Sequence, residues 1–197
     1  MCRFIESIRC DSGLARQLPL HQQRVDQTFH KHFPHSRPLN LKKIIEPGSY
    51  HQKHKCRIEY GENDYSIAYS PYETPLITSL KVVESDEISY SYKSIDRHLL
   101  GKLYERRLES DDIIIVKKGR VTDSYFANLA FYDGGEWYTS NSPLLKGVMR
   151  ASLISQGKLN ERLITVGDIA RYEKVCLINA MLDLDQMSLP TKDIIIS

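Results

Sequence analysis

The chain has 197 residues, 41% of them hydrophobic and 26% charged, a composition that excludes disordered and fibrous classes and leaves enough apolar material for a buried core. The formal net charge is only +2, with Lys and Arg scattered among Asp and Glu, so electrostatics favour neither nucleic acid nor a membrane surface as the main partner. Cys2, Cys10, Cys56 and Cys176 are well separated and form no CxxC pair. With no apolar leader after Met1 and no run of membrane-spanning length, the expectation is a soluble cytoplasmic protein with reduced thiols.

Residues 2–9 alternate as a strand does, and Asp11-Ser12-Gly13 supplies the turn that ends it. Residues 19–33 read as a helix, and a shorter helix around 39–45 is closed by Pro47-Gly48. Two strands, 55–60 and 65–70, flank Gly61-Glu62-Asn63-Asp64 as a hairpin, and 79–83 is a further short strand. From Ser94 to Arg107 the apolar positions Ile95, Leu99 and Leu103 fall at helical spacing. The continuous Ile/Val run at 112–116 predicts a buried strand turned at Lys118-Gly119, and 129–132 with 136–139 predict a second hairpin around Asp133-Gly134-Gly135. Helices are expected over 148–156 and 166–172, and strands over 174–178 and 193–196. This mixture predicts an α+β or α/β architecture in two lobes, a small α+β lobe over 1–84 and a larger mixed lobe over 85–197.

Four stretches hold residues capable of chemistry. In Tyr92-Lys93-Ser94-Ile95-Asp96-Arg97 a lysine sits just ahead of the expected helix, although an isolated lysine is more often a solvated charge. In Gly119 to Asn128, Asp123 and Asn128 bracket small and aromatic side chains, a pattern equally suited to a turn whose acid satisfies loop amides. Leu144-Leu145-Lys146-Gly147-Val148-Met149-Arg150 feeds a glycine straight into a helix, whose first amides and dipole can hold a phosphate. Ile178-Asn179-Ala180-Met181 puts a polar break at the end of an apolar strand, where small-molecule sites often lie.

Together with His21-Gln22-Gln23-Arg24 and the strand Ile5-Glu6-Ser7-Ile8-Arg9, these stretches resemble, in order and at compatible separations, the class IV aminotransferase family of fold-type IV pyridoxal-phosphate proteins. Within it they look closest to the aminodeoxychorismate lyase branch. The resemblance implies the two-lobed fold of D-amino acid aminotransferases, with the N-terminal lobe shortened. It implies pyridoxal 5′-phosphate as cofactor and Lys93 as the lysine that condenses with its aldehyde. Arg24 matches the arginine on the phosphate, joined by Gly147 and the amides of Val148 and Met149, with Asn179 and Ala180 closing the phosphate cup. Leu145 matches the apolar residue against the pyridine ring, Asp123 stands where relatives carry a glutamate facing the ring nitrogen, and Asn128 matches an asparagine nearby.

The chemistry agrees with this assignment. A lysine that condenses with an aldehyde must first lose its proton, a carboxylate opposite a pyridine nitrogen keeps that nitrogen protonated, and a dianionic phosphate needs an arginine with convergent amides. The implied activity is 4-amino-4-deoxychorismate lyase, which yields 4-aminobenzoate and pyruvate for folate synthesis. In it Lys93 acts as general base and Ser7 stands as a hydroxyl near the leaving group. A branched-chain or D-amino acid transaminase, and a non-catalytic protein that kept the fold, are the alternatives. Arg9, Arg57 and Arg97 are candidates for substrate carboxylates. The partner implied is a small-molecule amine, the assembly a homodimer. His30, His32, His35, His51 and His54 repeat no zinc spacing, so they read as surface histidines and no metal is expected.

Overall fold

The computed structural model describes residues 2–48 and 51–196, and the chain divides into a unit of Met1–Thr74 with Tyr92–Asp96 and a unit of Pro75–Ser91 with Arg97–Ser197.

The first unit is built on the alternation of strand β1 (Phe4–Asp11), which turns Phe4, Ile8 and Cys10 onto one face. Ser12 and Gly13, with φ of 51° and 74°, form the two-residue turn to β2 (Leu14–Ala15), and Asp11 pairs with Leu14 across it. A primed turn needs left-handed backbone at both central positions, and a glycine supplies it at no steric cost. Helix α1 (Leu18–His32) carries a proline in its first turn and buries His21, Val25, Thr28 and Phe29 along one stripe. The short helix α2 (Leu41–Ile44) is capped by the Asn40 side chain, which accepts from the Lys43 amide. The hairpin β3 (His54–Tyr60) and β4 (Tyr65–Pro71) completes an antiparallel sheet in the order β2-β1-β3-β4. Phe29, Phe33 and Leu41 pack with Phe4, Ile8, Ile58 and Tyr60 as its core, each such side chain contributing roughly 1.5–3 kcal/mol through burial.

Residues 92–96 return to this unit as an extended segment beside β1. The Ile5 amide donates to the Lys93 carbonyl at 2.9 Å, the Ile95 amide to the Arg3 carbonyl at 3.0 Å, and Ser94 bridges to Phe4. This pairing explains why the helix expected from Ser94 starts later, at His98. The Lys93 carbonyl and the Ile95 amide are spent on Ile5 and Arg3, and the Ser94 amide on the Tyr92 carbonyl, instead of on a first helical turn.

The second unit contains two sheets. Strand β5 (Leu80–Glu84) is followed by α3 (His98–Glu105), β6 (Asp112–Lys117) and β7 (Arg120–Val121). The hairpin β8 (Asn128–Tyr132) and β9 (Trp137–Ser140) leads to α4 (Val148–Ser155), β10 (Asn160–Arg162), β11 (Lys174–Ile178), β12 (Ser188–Pro190) and β13 (Ile194–Ile195). One sheet runs β13-β5-β6-β7, parallel across its first three strands, and the other runs β10-β9-β8-β11-β12. Because β5 pairs with β6 in parallel register, residues 75–84, expected in the lobe over 1–84, group with the second unit. Lys93 correspondingly falls in the first unit. The segment expected as a helix at 166–172 is a 3-10 turn over Val166–Arg171, opened by a capping box between Thr165 and Asp168. No helix among the described residues is long and apolar enough to cross a membrane.

Candidate functional site

In the first unit, the core face of β1 carries an acid. Glu6 shares the alternation of Phe4, Ile8 and Cys10, so its carboxylate is fully buried against α1. His21 and Arg24, three residues apart on α1 and hence on one side of it, both reach that carboxylate. Arg24 donates through Nε to Oε1 at 2.8 Å and through Nη2 to Oε2 at 2.5 Å, and His21 Nδ1 lies 2.5 Å from Oε2. Burial pushes the Glu6 carboxyl up, but the Arg24 charge and the hydrogen bonds from His21 and Arg24 outweigh it and bring the pKa to about 2. Burial holds His21 below the usual histidine range, as do the positive charges of Arg24 and Lys93. Lys93, half-buried on the segment beside β1, therefore shares this neighbourhood with Arg24. Ser7 and Arg9 lie on the opposite side of the β1 alternation, where Ser7 pairs with Arg57 and Arg9 bonds to Asp11.

In the second unit, a carboxylate is held by a loop and an amide. Asp123 is buried; its Oδ2 accepts from the Leu145 amide at 2.9 Å and its Oδ1 from Asn128 Nδ2 at 2.8 Å. The same Nδ2 donates to the Leu145 carbonyl at 2.9 Å, so Asp123, Asn128 and Leu145 form a closed ring of contacts. Burial drives the Asp123 carboxyl up to about 6, against the lowering effect of the Leu145 amide, Asn128 and the Arg150 charge. Gly147 is the N-cap of α4, which has no side-chain cap, and Val148 and Met149 form its first turn. The first amides of any helix have no intrahelical partner. Asn179 directly follows β11; its side chain accepts from the Met181 amide at 2.8 Å and donates to the Phe126 carbonyl at 3.5 Å, with Ala180 buried beside it. The backbone from Asp123 to Asn128 is thus tied both to the loop before α4 and to the end of β11.

The candidates for substrate carboxylates are engaged elsewhere in the fold. Arg57 bonds to Glu59 at 2.6 Å, and Arg97 stacks 4.2 Å over the Tyr125 ring while donating to the Tyr125 carbonyl. His32, read from sequence as a surface residue, packs edge-on against Tyr92 at 4.6 Å and against Phe4 at 4.7 Å. The apolar neighbours of β1 draw it in. In the sequence alone Glu6 is one residue of a strand pattern, with no role of its own. An acid on the apolar side of an alternating strand, with a His and an Arg one helical turn apart downstream, is the signal that marks it.

The model of the family described as amino-transferase class IV matches residues 3–186. The chain belongs to that family. A protein of Haemophilus influenzae, described as uncharacterized, is 34% identical over 185 residues, covering 92% of this chain and 98% of its own. A crystal structure from Haemophilus somnus, provisionally named a 4-amino-4-deoxychorismate lyase, is 36% identical with a TM-score of 0.89, covering 93% of this chain and 98% of that one. A hypothetical aminotransferase from Mycobacterium tuberculosis, in its pyridoxal-phosphate-bound form, shares the fold at 15% identity with a TM-score of 0.77, covering 98% of this chain and 81% of that one. The mixed α/β architecture is that of the fold-type IV aminotransferases.

Proposed function

We propose that this class IV aminotransferase family member is a pyridoxal-phosphate-dependent 4-amino-4-deoxychorismate lyase that releases 4-aminobenzoate and pyruvate. The observation that carries the reading is its 36% identity, over nearly the full length of both chains, with the Haemophilus somnus protein given that provisional name. The residues present suit the cofactor. Asp123 is a buried carboxylate whose pKa is raised by burial, and a protonated ring nitrogen is a cation it would pair with. Gly147 opens α4 with no side-chain cap, and the first amides of a helix, which have no intrahelical partner, are the donors a phosphate needs. Arg24 and Lys93 place two cations in one neighbourhood of the first unit.

When bound, the cofactor supplies an electron-withdrawing ring for the carbon that bears the substrate amine. The protein does the rest. Lys93 Nζ would hold the cofactor covalently and, when free, would serve as the general base at the carbon that bears the substrate amine and return that proton to the departing pyruvate-forming group. Asp123 would face the cofactor's ring nitrogen and keep it protonated. Arg24, with the amides of Val148 and Met149 and the strand-end residues Asn179 and Ala180, is assigned to the phosphate, Leu145 and Asn128 to the ring, and Ser7 to the leaving group. The same reading takes the enzyme as a cytoplasmic homodimer.

The test is direct. Purified protein loaded with the cofactor is yellow, and borohydride fixes the cofactor's mass on the peptide that contains Lys93. Addition of 4-amino-4-deoxychorismate then releases 4-aminobenzoate. Lys93→Ala retains the fold but loses both colour and turnover. A folded Lys93→Ala protein that keeps its colour places the cofactor on another lysine and contradicts the assignment.

A further inference from the structure

The ion pair joins Glu6, buried in the core of the first unit, to the partly buried Arg24, and burying a charge is costly unless geometry and hydrogen bonding are close to ideal. They are. The carboxylate meets one edge of the guanidinium through both Nε and Nη2, and a planar guanidinium held by two bonds along one edge has its orientation set. The opposite edge is thereby directed away from Glu6. His21 holds the carboxylate in turn, so the arrangement is a relay from α1 to β1 and back to α1. Among the charged groups acting on His21, Glu6 is the acid while Arg24 and Lys93 are both cations.

We propose that Glu6, steadied by His21, is a positioning residue: it fixes the orientation of the Arg24 guanidinium and so sets how strongly the protein discriminates a phosphorylated cofactor from its phosphate-free form. This inference rests on the assignment of Arg24 to the cofactor phosphate. A neutral or shortened side chain at position 6 frees the guanidinium to rotate and weakens its hold on the phosphate. The covalent bond at Lys93 is unaffected.

The experiment measures dissociation constants of cofactor-free protein for pyridoxal phosphate and for pyridoxal by absorbance. It uses the wild type, Glu6→Gln, Glu6→Asp, His21→Gln and Arg24→Ala, with circular dichroism as the check on folding. A structural role alone would weaken both ligands together. The expected result is a tenfold or greater loss of preference for pyridoxal phosphate over pyridoxal in Glu6→Gln and Arg24→Ala. A smaller loss is expected in His21→Gln and partial retention in Glu6→Asp. If Arg24→Ala loses the preference and a folded Glu6→Gln keeps it, the positioning role is overturned while the phosphate assignment stands. If Arg24→Ala also keeps it, the assignment of the phosphate to Arg24 fails and the inference falls with it. Should Glu6→Gln fail to fold, Glu6→Asp and His21→Gln decide: unchanged preference in both overturns the proposal.

Discussion

Asn128 stands so close to Gly147 that a Cβ on the glycine would lie 2.0 Å from the asparagine Oδ1. The backbone of Gly147, with φ of −68°, is open to any residue, so the glycine serves this approach and not a turn. Asn128 is the residue that joins Asp123 to the Leu145 carbonyl, and the glycine is what lets it do so.

Gly147→Ala is therefore expected to displace the Asn128 side chain and to lower stability by about 1–3 kcal/mol, the usual cost of forcing extra volume into a packed site. Combining it with Asn128→Ala removes the clash, so the double variant should be less destabilised than the sum of the single changes. Urea unfolding of the three variants measures this. Strict additivity would show that the two positions do not meet.

Asp123 gives the cofactor-free protein a particular pH dependence. Its carboxyl has a pKa of about 6 when folded against 3.8 as the ordinary value, so the folded state binds the proton more tightly than the unfolded one. The resulting stability is fully present below 3.8 and is lost as pH rises through about 6. A shift of about two units corresponds to roughly 3 kcal/mol at most. Asp112, also pushed to about 6 by burial, adds a loss in the same window, so the comparison must be with Asp123→Asn. Wild-type stability relative to that variant should fall between pH 4 and pH 7. A constant difference would mean that Asp123 does not titrate there.

Glu6 works in the opposite direction. Its pKa is about 2 in the folded state against an ordinary 4.5, so its stabilisation is present above 4.5 and lost as pH falls toward 2. The shift is worth roughly 3 kcal/mol at most. Glu6→Gln should destabilise the protein at neutral pH, and the gap to wild type should narrow on acidification, as followed by unfolding at pH 3 and pH 6. A gap that stays the same would detach Glu6 from Arg24 and His21.

Local signals carried much of the fold. The glycine turns at Gly13 and Gly119, both with positive φ, and the continuous apolar strand β6 were legible because their causes lie within a few residues. What could not be read was long-range. Nothing near Ser94 says that it will bridge to Phe4 instead of starting a helix, and the short strands β10 and β12 exist only through their partners β9 and β11. The site divides in the same way. Asp123, Asn128, Leu145 and Gly147 were picked out by their motifs, and the structure ties them together. Glu6, by contrast, needed the β1 alternation and the α1 stripe to be seen at once before its bonds to Arg24 emerged.

Elimination and transamination differ in the form in which they leave the cofactor. An elimination leaves the cofactor in its starting form, whereas a transamination strands the amino group on it until a keto acid arrives. The most direct measurement is the stoichiometry of 4-aminobenzoate and pyruvate released by cofactor-loaded protein given 4-amino-4-deoxychorismate alone. A lyase gives sustained multiple turnovers with the two products in equal amounts, and this is the expected result. A single burst, no larger than the enzyme concentration and resumed only when a keto acid is added, would contradict the lyase and make the protein a transaminase.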